Sequence, residues 1–200
     1  MAEKKKTVPK LTRSETVTVR LDPQLRYLAE LAARKQRRSL SSYIEWAVEI
    51  SLKEVRLHEG TGYNGDESIT VAEESAKLWD VDDSERFIKL AINYPALLTQ
   101  EEQEKWKLLS DSQLLAPART RDISGYVLWN KAALEDKVFP VVRREWPRLL
   151  ATHADTAEAR AKWVAEMKTA VQKGQMYPGY KPDQPASKSG FEDMDDEIPF

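Results

Sequence analysis

Residues 15–21 alternate polar and apolar side chains with a period of two: Glu15, Thr16, Val17, Thr18, Val19, Arg20 and Leu21. The run is rich in β-branched types and reads as a half-buried strand. No second strand of similar quality follows; the residues after it carry helical spacing. A lone strand leaves its backbone N–H and C=O groups unpaired and is not stable in water. The economical solution is pairing with the same strand of a second copy across a two-fold axis. Dimerisation is then part of folding.

The residues that follow support helices. Asp22 reads as an N-cap and Pro23 as the first helical position. Leu25, Leu28, Ala29 and Ala32 give one apolar stripe. Arg37, Arg38 and Ser39 break it. Ser39 then caps a second helix, with Leu40, Ile44, Ala47, Val48 and Val55 on its inner side. Before the strand, residues 1–13 read as a flexible basic arm bearing Lys4, Lys5, Lys6, Lys10 and Arg13.

Residues 15–55 resemble the ribbon-helix-helix family, the Arc, MetJ and CopG type of DNA-binding protein. The carriers are the strand from Thr16 to Leu21, the stretch from Pro23 to Gln36, and Ser39, Leu40, Ser41, Ser42, Tyr43 and Ile44. The resemblance implies an intertwined homodimer in which Val17, Val19 and Leu21 face the core. It implies that Thr16, Thr18 and Arg20 face the major groove of duplex DNA, which a two-stranded ribbon fits. It also implies that the start of the second helix, at Ser39, Leu40 and Ser41, holds a DNA phosphate through backbone amides. One departure stands out. Many family members carry glycine in the inter-helix turn, where this chain has Arg37. Arginine takes a positive φ only with strain, which leaves the turn open to a different construction. Arg37 and Arg38 compensate in this reading by reaching phosphates. The lysines of the arm join them.

Charge is distributed to match. Residues 1–56 carry 13 Lys+Arg against 7 Asp+Glu, a charge of +6. With a net charge of −2, the remainder carries −8. Much of that acid lies in residues 191–200, which hold five acids and no base. Asp195, Asp196, Glu197, Ile198, Pro199 and Phe200 resemble the C-terminal tip of bacterial single-stranded DNA-binding protein, an acidic run ending in these last three residue types. The resemblance implies docking onto genome-maintenance enzymes. Phe200 would be the aromatic anchor and the acids would steer toward a basic rim. A solubilising tail and an acidic segment folding back on the chain's own basic face are the other readings of such a run.

Between these ends, residues 57–68 contain Gly60, Gly62 and Gly65 and read as a linker. Residues 69–174 read as an all-helical domain whose role the sequence does not reveal. Thr70 with Glu73 and Thr99 with Glu102 fit the capping-box spacing. Pro95, Pro117, Pro140 and Pro147 punctuate the region. A last helix begins near Asp155, presents Trp163, Val164, Met167, Ala170 and Val171, and stops at Gly174. The tryptophans of this region read as core residues, and its paired acids at helix starts as caps rather than catalytic carboxylates. Residues 175–200 read as a disordered linker ending in the acidic tip.

The fold expected is therefore mainly α: a ribbon-helix-helix dimer over residues 14–56, an all-helical region, and a disordered acidic tail. The expected function is sequence-specific binding of double-stranded DNA, in a bacterial or mobile-element transcriptional regulator. The alternative is an adaptor that mimics the single-stranded DNA-binding protein tip in replication, recombination, or plasmid transfer and partition. No cofactor, metal or enzymatic activity is expected. Cysteine is absent, and His58 and His153 have no ligand partner at metal spacing. No apolar run reaches a membrane span, and none follows the basic N-terminus, so the expected location is cytoplasmic and nucleoid-associated.

Overall fold

Capping side chains and prolines set the boundaries of most helices in the computed structural model, which describes residues 17–58 and 68–180. In order, α1 spans Pro23–Lys35, α2 Leu40–Ser51, β1 Arg56–His58, β2 Ile69–Thr70, α3 Val71–Leu78, α4 Asp83–Asn93 and α5 Gln100–Asp111. There follow β3 Arg119–Arg121, β4 Val127–Trp129, a single turn α6 Lys131–Ala133, a π-helical turn Leu134–Val138, α7 Phe139–His153 and α8 Ala157–Gln172. The protein is mainly helical, and it divides into two compact units between Leu90 and Ala91.

In the first unit, α1 and α2 pack against each other. The end of α2 is tied to the start of α3: the Val71 amide donates to the Val55 carbonyl at 2.9 Å, and the Ala72 amide to Leu52 at 3.1 Å. Beside them β1 pairs antiparallel with β2, with Arg56 opposite Thr70 and His58 opposite Ile69. The expected linker over 57–68 thus begins with strand residues, Leu57 and His58. Three glycines dominate that stretch of sequence and hide two short β-prone flanks. Thr70 and Glu73 form the expected capping box on α3. Asp82, one of the paired acids at helix starts, caps α4: its Oδ1 accepts from the Ser84 amide at 3.0 Å and from the Glu85 amide at 3.2 Å. Phe87 and Ile88 of α4 are buried.

In the second unit, α5 packs on α7 and α8, and α7 on α8. Its core is Leu109, Leu114, Val138, Val142, Leu149, Trp163, Met167 and Val171, all essentially without exposure. Thr99 and Glu102 cap α5 as their spacing predicts. Thr156 caps α8, and Gly174 ends it at φ 69°. Two expectations need correction. The region over 69–174 is not all-helical, because β3 and β4 form an antiparallel hairpin that pairs Arg119 with Trp129 and Arg121 with Val127. Pro147 does not punctuate anything: it lies inside α7, which continues to His153. A proline ring removes one helical hydrogen bond, and Val141, Val142 and Leu149, buried on the same helix, hold it in place.

The tryptophans divide as well. Trp163 is buried, and Trp106 and Trp129 meet at 6.1 Å between centroids. Trp79 is the exception to a core assignment. It is exposed, and the Arg86 guanidinium stacks 4.6 Å from its ring centroid.

Candidate nucleic-acid interface

The junction between α1 and α2 gathers most of the described residues expected to meet DNA. Asp22 stands in extended conformation, and its Oδ1 accepts from the Leu25 amide at 3.0 Å, while Pro23 opens the helix. At the other end, the Arg38 amide donates to the Ala33 carbonyl at 2.9 Å and the Arg37 amide to Arg34 at 3.0 Å. This is the Schellman pattern, whose left-handed residue is usually glycine. Here Arg37 fills that place at φ 56°. The turn is therefore built as a glycine would build it, and arginine bears the strain, roughly 1–2 kcal/mol for a residue with a Cβ.

Ser39 follows in extended conformation, and its Oγ accepts from the Ser42 amide at 3.2 Å. That arrangement leaves the first amides of α2 near an exposed surface formed by Arg37, Arg38, Ser39 and Ser41, with Leu40 half-buried. Arg38 is not free to range: its guanidinium lies 5.5 Å from the Trp46 ring centroid, and Trp46 in turn meets Tyr43 at 5.5 Å. A cation over a ring is held by the ring's quadrupole while its outer N–H groups stay available. Trp46 is the residue that sequence reasoning missed; its i+8 spacing from Arg38 is the signal.

On α1, Glu30 takes Arg26 at 3.2 Å and stands 3.9 Å from Arg34, so the acid of this helix is neutralised by its own neighbours. Thr18 and Arg20 precede α1 and are exposed. Residues 17–22 have no regular structure in the single chain. Val17 is 79 % exposed and Val19 58 %, while Leu21 is partly covered. Thr16, Lys4, Lys5, Lys6, Lys10 and Arg13 lie outside the described residues, as do Asp195, Asp196, Glu197, Ile198, Pro199 and Phe200.

The helix pair is short of cover. Of all apolar side chains between Val17 and Val55, Ala33 alone is buried. Leu25 and Leu28 are half exposed, Leu31 40 %, and Val48 and Val55 more than half. The sequence places Leu25, Leu28, Val48 and Val55 on inner faces.

Other chemistry is sparse. No group of three His, Cys, Asp or Glu among the described residues is placed to hold a metal. His153 Nε2 lies 3.3 Å from a Glu104 carboxylate oxygen, and the Arg160 guanidinium donates to the His153 carbonyl. These contacts tie α5, α7 and α8 together. No described helix is long and apolar enough to cross a membrane. No protein-family model, curated protein or solved structure matches this chain.

Proposed function

We propose that this protein binds duplex DNA as a homodimer through a ribbon-helix-helix module over residues 14–56, and regulates transcription from the site it occupies. The observation that carries the reading is the uncovered apolar surface of a helix pair preceded by an unpaired alternating segment. Leu25, Leu28, Val48, Val17 and Val19 expose in one copy what a second copy would bury. Fully burying a side chain of this size is worth about 1.5–3 kcal/mol; covering the exposed half contributes about half of that, and several such side chains per protomer work against the entropy of association.

The dimer pairs residues 15–21 with their counterparts, which satisfies both backbones and presents Thr16, Thr18 and Arg20 twice. Arginine donates a bidentate pair to guanine, and the threonine hydroxyls and methyls meet base edges. Ser39, Leu40 and Ser41 approach a phosphate at the start of α2, flanked by Arg37 and Arg38. The basic arm adds sequence-independent attraction. The acidic tip from Asp195 to Phe200 docks partner proteins of genome maintenance. Its composition supports an adaptor role in replication, recombination or plasmid transfer as the second reading.

Selection of bound duplexes from a random pool tests the proposal. The wild-type chain enriches a palindromic or repeated site, and Arg20→Ala loses that enrichment while remaining a dimer. Absence of any enriched duplex, or enrichment that Arg20→Ala leaves intact, contradicts it. Removing Phe200 reduces capture of genome-maintenance proteins without changing duplex affinity; an unchanged set of captured proteins contradicts the docking role.

A further inference from the structure

The β3–β4 hairpin is rooted firmly and exposed at its tip. At its base, Trp129 meets Trp106 of α5, and the Asn130 amide donates to the Ala118 carbonyl at 2.9 Å. Asn130 then caps α6 by accepting from the Ala133 amide at 3.0 Å. At the tip, Asp122 organises the turn. Its Oδ1 accepts from the Ser124 amide at 2.9 Å and the Tyr126 amide at 2.8 Å. Gly125 supplies the positive φ of 83° that closes the turn. Beyond this framework the side chains point to solvent: Ile123 is fully exposed, Tyr126 73 % and Leu128 52 %.

Charge selects the partner. Residues 119–131 contain three bases, Arg119, Arg121 and Lys131, and one acid. That acid is Asp122, whose carboxylate is occupied by the turn amides. Arg119 and Arg121 stand two residues apart on one strand, hence on one face, and both are exposed. Neither forms an ion pair among the described residues. A two-stranded ribbon fits the major groove of duplex DNA, and this one carries its exposed apolar residue, Ile123, at the tip.

We infer that this hairpin is a second duplex-DNA contact, with Arg119 and Arg121 on phosphates and Ile123 at the groove. The inference rests on the DNA-binding reading but uses residues outside the ribbon-helix-helix module. It adds affinity for duplex without adding sequence preference.

The test compares full-length wild type, Arg119→Ala/Arg121→Ala, and the charge-keeping Arg119→Lys/Arg121→Lys. Each is titrated with a mixed-sequence duplex and with the corresponding single strand over a range of salt. The alanine pair is expected to bind duplex several-fold more weakly, with a salt slope reduced by about one for each phosphate no longer neutralised. The lysine pair keeps the wild-type slope, and the site chosen from a random pool stays the same. If the alanine pair binds duplex with wild-type affinity and slope while Arg20→Ala loses site preference, the hairpin inference falls and the ribbon reading stands. If the alanine pair weakens duplex binding while Arg20→Ala changes nothing, the hairpin contact stands and the ribbon reading falls. Tighter binding of the single strand than of the duplex by wild type overturns the hairpin's assignment to duplex. A protein partner whose capture the alanine pair abolishes while duplex affinity holds overturns it too.

Discussion

The Tyr177 hydroxyl donates to the Leu114 carbonyl oxygen at 2.5 Å, closing a span of 63 residues inside the second unit. Both residues are buried, and burial raises the phenol's pKa, so the group remains a donor through the whole working range. This bond fixes the chain just after α8 against the turn that follows α5. Tyr177→Phe keeps the ring and removes the donor. It should cost about 1–2 kcal/mol, since a buried carbonyl loses its partner, and lower Tm by a few degrees in a thermal melt. Duplex affinity should not change. An unaltered Tm would show that the contact contributes nothing.

Acid should loosen the start of α4 through Asp80. One of its oxygens accepts from the Asp82 amide at 3.0 Å and the other takes Lys89 at 2.7 Å. The backbone bond, and then the lysine, hold its pKa at about 2, below the usual value of 3.8. A depressed carboxylate pKa stabilises the fold above the unfolded value, and that stabilisation is lost as pH falls through about 2. The full shift corresponds to about 2 kcal/mol, and with a quarter of the side chain exposed, screening reduces it to about 1 kcal/mol. Urea melts of wild type and Asp80→Asn should differ by this amount at neutral pH and converge below about pH 2. A difference that persists in acid would assign the effect to something other than this ionisation.

The turn between α1 and α2 offers a separation of stability from binding. Arg37 bears a positive φ that glycine would take without strain. Arg37→Gly should stabilise the fold by up to about 1 kcal/mol, the relieved strain being partly offset by the freer unfolded chain. The same variant should bind duplex more weakly, with a salt slope lower by about one per protomer. Denaturant melts and salt titrations read the two effects independently. Lower stability with unchanged DNA binding would mean that Arg37 serves the turn and not the phosphate.

Local rules make the helix boundaries legible. Asp22, Ser39, Thr70, Thr99 and the Gly174 stop all act as their residue types and spacings predict, because a cap depends only on atoms within a few residues of it. At the α1–α2 junction the Ser39 cap is legible for the same reason, whereas the left-handed turn at Arg37 is not, because arginine is a poor signal for a positive φ. The β3–β4 hairpin is not, although Asp122 and Gly125 frame a turn between two short β-prone runs. Each strand is only three residues long, and its stability comes from Trp129 meeting Trp106, a contact between distant positions that no local pattern announces. Pro147 misleads for the converse reason: tertiary packing of α7 outweighs the local cost of a proline. Trp79 escapes a core assignment because Arg86 gives its ring an exposed partner.

Hydrogen exchange at the backbone amides of residues 17–21, followed across a dilution series, tests the central claim most directly. Pairing of twin segments predicts that alternate amides are protected at high concentration, since an antiparallel pair bonds every second residue. That protection should disappear together with the dimer as the chain is diluted. Amides that exchange freely at every concentration, or protection that dilution leaves unchanged, would contradict a ribbon formed between two copies.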